Sequence, residues 1–342
     1  MKAAVVTGLE QVEIQDIPVP GIQENEVLIK VHTAGICGSD LHLFKGTHAF
    51  RKPPVVLGHE MAGEIVKLGA AVTGLKLGQR VTVEPQVGCG DCPMCRQGAV
   101  NICDDIHVPG TGSWGGTFAE YFNAPASTVY PLADSVPDEL GTLIEPFAVA
   151  VHTVARATTQ DRSCCVILGA GTIGMLCLVA AREAGFKTIY CTDTAPFNRE
   201  MAVREGAAAA FDPITEDVAA KVMELTGGVG ADLTVVAAGA PNILDQASAC
   251  TKKRGEIAVV AAITRPIPYT SYTLSHREQS MYGVWTYETR DFQHAAALIN
   301  GGLDLSAFVT QVLPLEETQR GLEMLSEKKE PIVKILVRVA EA

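Results

Sequence analysis

The sequence predicts an α/β protein in which a β-rich part precedes a part where strands and helices alternate. The chain has 342 residues, more than one compact core usually supports, and 47% of them are hydrophobic, as in ordinary globular proteins. Up to about residue 145, short strand-like runs are separated by glycine and proline. From about residue 150, apolar strand-like runs alternate with segments of helical spacing, which indicates βαβ units and a parallel sheet.

The runs of the first part are predicted to be strands because each is short, rich in Val and Ile, and followed by turn residues. Glycine recurs near the bends between them, as expected for an irregular β-barrel-like domain whose loops can carry ligands. In order, the runs are KAAVV (2–6), QVEI (11–14), EVLIKVH (26–32), GEIVKLG (63–69) and QRVTVEP (79–85).

The second part begins with CCVILGAG (164–171), an apolar run bounded by glycine, and TIGMLCLVAAREAG (172–185), whose apolar residues have helical spacing. Further strands are predicted at KTIYCTD (187–193), ADLTVVAAG (231–239) and GEIAVVAA (255–262), with a helix at FNREMAVREGA (197–207). The tail predicts helices at DFQHAAALIN (291–300) and ETQRGLEMLSEKK (317–329), then a last strand, PIVKILVRV (331–339).

Charge and composition disfavour several kinds of partner. A net charge of −12 argues against a nucleic-acid partner, and we expect the longest basic run, KKR at 252–254, to be a solvated helix end. No run of about 20 apolar residues predicts a membrane span. The first residues lack the apolar core of a secretory signal, so we expect a cytoplasmic protein with no membrane partner.

The ten cysteines include a cluster of four with the spacing C-x2-C-x2-C-x7-C, namely Cys89, Cys92, Cys95 and Cys103. In a reducing compartment such a cluster is typical of metal ligation, and four thiolates suit one tetrahedral zinc. A ferredoxin-type cluster closes with a shorter interval followed by proline, and a thioredoxin-type redox pair is an isolated C-x-x-C, so both fit less well. The spacing favours structural zinc; an iron–sulfur cluster or a metal-free site remains the alternative.

Five other cysteines lie in predicted strands or helices, and we expect their side chains to be buried in the core. They are Cys164, Cys165, Cys177, Cys191 and Cys250. Cys37 is different, because AGICGSDLH (34–42) could supply a second metal site together with His59 of LGHEMAGEIVKLGAAV (57–72) and a carboxylate. Three protein ligands would leave a fourth position for water or substrate, as in catalytic zinc sites. Cys37 or His59 alone would be a weak signal.

A nucleotide-binding motif follows the first strand of the second part. VILGAGTIG places Gly169, Gly171 and Gly174 in a G-x-G-x-x-G pattern, with Thr172 and Ile173 between the last two glycines. The glycines allow a tight turn and close approach of pyrophosphate to the helix N-terminus, as in a Rossmann domain. Asp193 lies nineteen residues after Gly174 at a strand end, where a carboxylate binds the ribose 2′-hydroxyl and favours NAD over NADP.

Together these motifs resemble the zinc-dependent medium-chain dehydrogenase/reductase family, in particular its sorbitol (polyol) dehydrogenase-like branch. The pattern G-H-E-x2-G-x5-G-x2-V is complete from Gly58 to Val72, and the four-cysteine cluster lies where the family has its structural-zinc lobe. The resemblance implies a GroES-like β-barrel catalytic domain beside a Rossmann doubly wound parallel sheet. It also implies that Cys37 and His59 bind a catalytic zinc.

The resemblance assigns further roles by position. Glu60 and Glu145 supply carboxylates to the catalytic zinc, directly or through its water, and which of them touches the metal stays open. Ser39 and His42 match the family's proton relay. Arg199 lies near the position of a basic cofactor ligand, but the interval TDTAPFNR is one residue longer than usual. Arg199 is therefore either a cofactor ligand or a helix-surface residue.

The resemblance predicts a catalytic domain formed by residues 1–147 and 282–342, with a NAD-binding domain at 148–281. It implies hydride transfer from a secondary alcohol of a polyol, sugar alcohol or sugar acid to NAD, in a homodimer or homotetramer. Threonine 3-dehydrogenase activity is the alternative, since the tail MYGVWTYETRDFQHAAALINGGLDLS is similar to threonine dehydrogenases. A zinc- and nucleotide-binding protein without turnover is a third hypothesis, which the intact set of site residues disfavours.

Overall fold

The computed structural model describes residues 1–48, 51–111, 114–327 and 329–340. The chain forms two compact units. The first unit joins both ends of the chain, Met1–Glu145 and Glu288–Ala342, and the second is Pro146–Tyr287.

The strands of the described residues are numbered along the chain. They are β1 (Lys2–Gly8), β2 (Gln11–Asp16), β3 (Glu26–Gly35), β4 (Val55–Val56), β5 (Glu60–Leu68), β6 (Arg80–Val83), β7 (Tyr121–Pro125), β8 (Val129–Pro131), β9 (Cys164–Leu168), β10 (Thr188–Thr192), β11 (Ala209–Phe211), β12 (Ala231–Val236), β13 (Thr251–Val259), β14 (Ser280–Gly283), β15 (Val309–Pro314) and β16 (Lys334–Arg338).

The helices are numbered in the same way. They are α1 (Gly38–Phe44), α2 (Pro93–Arg96), α3 (Asp138–Ala155), α4 (Thr172–Glu183), α5 (Pro196–Arg204), α6 (Val218–Leu225), α7 (Ile243–Cys250), α8 (Ser271–His276), α9 (Thr289–Asn300) and α10 (Thr318–Glu327). Within the described residues, none of them has both the length and the apolar character needed to cross a membrane.

The first unit is built on a seven-stranded mixed sheet in the order β15-β16-β3-β5-β6-β8, with β7 also paired to β3. Strand β3 is its centre, and all its residues except Glu26 and Lys30 are buried. β3 runs antiparallel to β5, from Val27 opposite Leu68 to Gly35 opposite Glu60. Because of this pairing, the end of β3 lies beside the start of β5, and the residues around both ends come together.

The second unit contains a six-stranded sheet in the order β11-β10-β9-β12-β13-β14, with every pair parallel. Counted from β9, this is the order 3-2-1-4-5-6 of a doubly wound dinucleotide-binding sheet. The central strand CCVIL is buried at all five positions, as expected for a strand covered on both faces. Thr192 is opposite Leu168, so the carboxyl ends of β9 and β10 are adjacent.

The predicted environment of the five core cysteines is confirmed, since Cys164, Cys165, Cys177, Cys191 and Cys250 are all buried. All five lie in strands or helices of the second unit, as predicted, with Cys250 as the last residue of α7.

The expectation of a helix end at residues 252–254 is wrong, although Lys253 and Arg254 are exposed, as predicted. These residues belong to strand β13, where Lys252 Nζ lies 2.8 Å from Asp161 Oδ2 and 2.5 Å from Asp232 Oδ1. A run of three basic residues carries no periodicity. Residues 252–254 lie where the register with β12 shifts, between the pairs Ala231–Thr251 and Leu233–Glu256, so the pairing on either side of them defines the strand.

Candidate metal and cofactor sites

Cys37, His59 and Glu60 form one cluster, in which the potential ligand atoms all lie within 4.8 Å of one another. Cys37 lies two residues after β3 and is the N-cap of α1, while His59 directly precedes β5 and Glu60 is the first residue of that strand. The antiparallel pairing of β3 and β5 therefore assembles the cluster. Gly35 leaves room at the β3 end for the carboxylate of Glu60, which a Cβ at that position would displace.

Asp40 fixes the two loops that carry these ligands, and its side chain is fully buried. Its Oδ2 accepts a hydrogen bond of 2.9 Å from the backbone N–H of Cys37, and its Oδ1 accepts one of 3.3 Å from that of Gly58. Oδ1 also lies 3.9 Å from Nδ1 of His59. The Asp40 carboxylate thus lies near one ring nitrogen of His59, at a separation longer than a hydrogen bond, and its direct contacts are with the backbone of the two loops.

Lys334 of β16 brings a positive charge to the same cluster. Its side chain is 2% exposed, its Nζ forms an ion pair with Glu60 Oε2, and it donates a hydrogen bond of 2.9 Å to the carbonyl oxygen of Ile36. Burial lowers the pKa of Lys334, but the charges of Glu60 and Cys37 outweigh it, so the pKa is raised and the ammonium form persists. The lysine compensates part of the negative charge that a thiolate and a carboxylate bring together.

The thiol of Cys37 has a raised pKa, first because of burial and then because of the charge of Glu60. Lys334 and the backbone N–H of Ser39 act in the opposite direction. Lys334 and the N–H of Ser39 therefore both favour the thiolate of Cys37, the form of cysteine that binds zinc.

The other predicted residues of this site have different positions. Glu145 lies in α3, is 6% exposed, and stands outside the three-residue cluster, although its charge also raises the pKa of Lys334. Ser39 is half-buried in α1, and His42 is exposed three residues further along the same helix, with Nδ1 3.2 Å from Thr47 Oγ1. The helix places Ser39 and His42 on neighbouring positions of one face.

Sequence reasoning did not single out Asp40 or Lys334. Asp40 follows Ser39 directly, and a carboxylate next to a metal-ligand motif is a signal that could have identified it. Lys334 is the one charged residue inside the apolar run IVKILV. A charged residue in such a run is the only sequence signal for this lysine, which lies nearly 300 residues after Cys37.

The four-cysteine cluster is also assembled, with the four sulfur atoms within 4.8 Å of one another. Backbone N–H groups point at the sulfurs: that of Cys92 lies 3.3 Å from Cys89 Sγ, and that of Cys95 lies 3.3 Å from Cys92 Sγ. The N–H of Cys95 lowers the pKa of Cys92 to about 7. All ten cysteines are free thiols, so the cluster is not a pair of disulfides, and its donor set fits a tetrahedral zinc.

The glycine motif lies where β9 ends and α4 begins. Gly169 has φ +102°, and a Cβ there would lie 2.5 Å from that of Ala238. A Cβ on Gly174 would collide with the carbonyl oxygen of Gly169, so strand and helix pack too closely for any side chain. Gly171, the N-cap of α4, has no neighbouring atom within 4 Å of its Cβ position. Space at a helix N-terminus suits a phosphate group, with Thr172 and Ile173 forming the first turn beside it.

Asp193 follows β10 and lies beside this turn. Its Oδ2 accepts a hydrogen bond of 2.9 Å from the N–H of Ala170, and its Oδ1 accepts one of 2.9 Å from that of Ala195. Arg199 lies in α5 and donates through Nη1 to the carbonyl oxygens of Asp193 (2.7 Å) and Thr194 (2.9 Å). The carboxylate is therefore fixed in orientation, and the guanidinium supports the loop.

Comparison with known proteins identifies the family. Residues 23–134 match the alcohol dehydrogenase GroES-like domain, and residues 172–301 match the zinc-binding dehydrogenase family. A sorbitol dehydrogenase of Bacillus subtilis is 35% identical over 98% of this chain and 97% of its own length. The chain belongs to the zinc-dependent medium-chain dehydrogenases.

Other relatives of this dehydrogenase differ in their substrates. An L-threonine 3-dehydrogenase of Pyrococcus abyssi is 37% identical over 76% of this chain and 74% of that protein. The crystal structure of a 2R,3R-butanediol dehydrogenase from Bacillus subtilis superposes with a TM-score of 0.91, at 31% identity, over 98% of this chain and 99% of that chain.

These matches confirm the predicted fold class, a Rossmann domain with a GroES-like β-domain, and the predicted resemblance to sorbitol dehydrogenases. The dehydrogenase is an enzyme of a zinc-dependent family, so the hypothesis of a protein without turnover is set aside. The two ligand clusters have the donor atoms that a catalytic and a structural zinc require.

Proposed function

We propose that the dehydrogenase oxidises a secondary alcohol of a polyol, sugar alcohol or sugar acid with NAD. The observation that carries this proposal is the cluster of Cys37, His59 and Glu60, in which a carboxylate completes the ligand set. Oxygen donors make a zinc site harder than a second thiolate would, which suits substrates that chelate through two oxygens. Similarity to a sorbitol dehydrogenase along nearly the whole chain supports the same substrate class.

Cys37, His59 and Glu60 would hold the catalytic zinc, with Asp40 fixing the backbone of the ligand loops and Lys334 balancing the charge of Glu60. When bound there, zinc lowers the pKa of an alcohol hydroxyl and stabilises its alkoxide. Glu145 belongs to this site as a second carboxylate, acting through a water molecule, because it lies outside the three-residue cluster yet its charge acts on Lys334. The four cysteines from Cys89 to Cys103 would hold a zinc without an open position.

The chain's own residues then remove the hydroxyl proton. The Oγ of Ser39 accepts it, because a hydroxyl can both accept and donate a hydrogen bond. His42 takes the proton from Ser39 and delivers it to water, since its ring is exposed and an imidazole can accept a proton on one nitrogen and release it from the other. The half-buried position of Ser39 and the exposed position of His42 on one helix support this direction of transfer.

The Rossmann unit would bind NAD, which supplies the hydride acceptor. Gly169, Gly171 and Gly174, with Thr172 and Ile173, hold the pyrophosphate at the start of α4. The oriented carboxylate of Asp193 accepts a hydrogen bond from the ribose 2′-hydroxyl and repels a 2′-phosphate. Arg199 contributes to this site by holding the loop of Asp193.

L-Threonine is the second candidate substrate, because a threonine dehydrogenase shares 37% identity over 76% of the chain. A panel of polyols, sugar acids, vicinal diols and L-threonine, assayed by NADH absorbance, tests both candidates. The proposal expects the highest kcat/KM for a polyol or sugar acid. Turnover of L-threonine alone would reject the polyol assignment and leave the zinc and NAD sites unaffected.

We further propose a cytoplasmic homodimer or homotetramer. The reducing cytoplasm keeps zinc-binding thiolates and buried thiols unoxidised, which fits ten free cysteines. Light scattering after size-exclusion chromatography measures the assembly, and a monomeric mass would reject this part of the proposal.

A further inference from the structure

Arg199 is held by the protein itself at the edge of the sheet where the proposed NAD ribose binds. Besides the two carbonyl oxygens of the Asp193 loop, its Nη1 lies 3.3 Å from Oδ2 of Asp212. The side chains of Arg199 and Asp212 are only 21% and 20% exposed. Solvent and salt screen this mostly buried ion pair less than a fully exposed one. The pair therefore fixes the direction of the guanidinium.

The fold explains why the two residues meet. Thr192 at the end of β10 is opposite Phe211 at the end of β11, so Asp193 and Asp212 follow adjacent parallel strands at one edge of the sheet. Arg199 lies in the first turn of α5, which begins at Pro196 between these strands. The guanidinium therefore lies between the backbone carbonyl oxygen of Asp193 and the carboxylate of Asp212.

The position of Arg199 beside the loop of Asp193 gives this arrangement its consequence. Guanidinium groups bind phosphate strongly, so an unpaired arginine next to the ribose-binding carboxylate would favour a 2′-phosphate. Here the guanidinium is directed to Asp212 and to backbone carbonyl oxygens instead.

We propose that Asp212 is a specificity residue for the dinucleotide, which keeps Arg199 from binding a 2′-phosphate and so adds to the preference of Asp193 for NAD. Asp193 excludes the phosphate by its own charge, and Asp212 excludes it by holding the guanidinium of Arg199. The inference rests on the proposed function, since it assumes that this edge of the Rossmann unit binds the cofactor's ribose.

The test measures equilibrium binding of NAD and NADP to the zinc-loaded enzyme by calorimetry. In a D193S background, where the direct repulsion is gone, D212A should strengthen NADP binding about tenfold, the effect of one charge-assisted contact. D212N is the milder companion variant, because its Oδ1 can still accept the 3.0 Å hydrogen bond from the N–H of Ile214. Adding R199A to D193S/D212A should remove the gain.

Two controls, E200Q and the triple variant D193S/D212A/R199A, separate this mechanism from a simple loss of negative charge. E200Q removes an acid from the exposed face of α5 and should leave NADP binding unchanged. The inference would be overturned if the gain in NADP affinity persisted in D193S/D212A/R199A. It would also be overturned if NADP affinity were unchanged in both D193S/D212A and D193S/D212N. Neither result would contradict the proposal that the wild-type enzyme uses NAD. A wild-type enzyme that binds neither dinucleotide would instead overturn the proposed cofactor and the inference with it.

Discussion

The ammonium group of Lys334 pairs with the carboxylate of Glu60, and both side chains are almost completely buried. The two residues come from opposite ends of the chain, and Glu60 is at the same time a member of the cluster with Cys37 and His59. The negative charge of this site is therefore balanced partly by the protein, before any metal contributes.

Replacing Lys334 by Met should destabilise the zinc-free enzyme by about 3 kcal/mol, because a buried carboxylate loses its partner. Urea unfolding at neutral pH measures the change in unfolding free energy. Lys334→Arg should retain most of the stability, since it keeps the charge. Lys329→Met, at an exposed position, is the matched control and should have almost no effect. Equal stability of Lys334→Met and wild type would reject the pair as a stabilising contact.

Metal analysis should find about two zinc ions per chain, one for each ligand cluster. Cys95→Ser should lose one zinc and lower the melting temperature, and Cys37→Ser should lose the other zinc and the activity. Cys250→Ser changes a buried core cysteine and should keep both ions. Iron in the purified protein, or loss of both ions from either zinc-site variant, would contradict two independent zinc sites.

Ser39→Ala should lower kcat chiefly at low pH, where removal of the alcohol proton is least favourable and a relay matters most. Ser39→Thr keeps the hydroxyl and should recover much of the rate. Steady-state pH profiles with the preferred alcohol give the comparison. A uniform loss across pH in both variants would indicate a packing defect and exclude the relay.

Asp138 should make the enzyme sensitive to acid. It accepts hydrogen bonds from His32 (2.9 Å) and from Arg80 (2.6 Å). Burial raises its pKa, but these two partners outweigh burial and lower it below the ordinary value. Its contribution to stability is therefore present above the unfolded pKa of about 3.9 and is lost as pH falls through the folded pKa.

Asp138→Asn should consequently be less stable than wild type at pH 7, with a difference that shrinks below about pH 4. Urea unfolding between pH 3 and pH 7 measures this trend, and Asp134→Asn, an exposed acid nearby in sequence, provides the control. A difference that is constant over the whole range would mean that the charge of Asp138 is not the cause.

The five core cysteines should resist thiol reagents in the native enzyme. Burial raises the pKa of Cys164, Cys177 and Cys250 to about 12, so almost no reactive thiolate exists at pH 8. After zinc removal, dithionitrobenzoate should quickly label Cys89, which is exposed, and Cys92, whose pKa is lowered to about 7, and should label the five core cysteines only in guanidinium. Because the folded pKa values lie above the unfolded value, stability should fall as pH rises above about 8.5. Rapid native labelling of all ten would contradict the buried assignment.

Much of the fold could be predicted from local patterns. CCVIL and TIGMLCLVAARE differ clearly in period and length, so β9 and α4 are evident, and the glycines between them mark the turn. Shorter elements were not predicted, among them β11 with three residues and the edge strand β14. Such short runs carry too few residues to show a period, and only pairing with a neighbouring strand defines them.

The sequence by itself determined those features in which all the chemistry lies within a few residues: the four-cysteine cluster, the glycine turn and Asp193 at its strand end. Tertiary structure alone decided the contacts between distant strands, such as Lys334 with Glu60 and the direction of Arg199 toward Asp212. Spacing along the chain fixes the geometry of a short loop. Strand order and register fix which distant charges meet, and strands buried on both faces, such as β3 and β9, show no alternation from which a register can be derived.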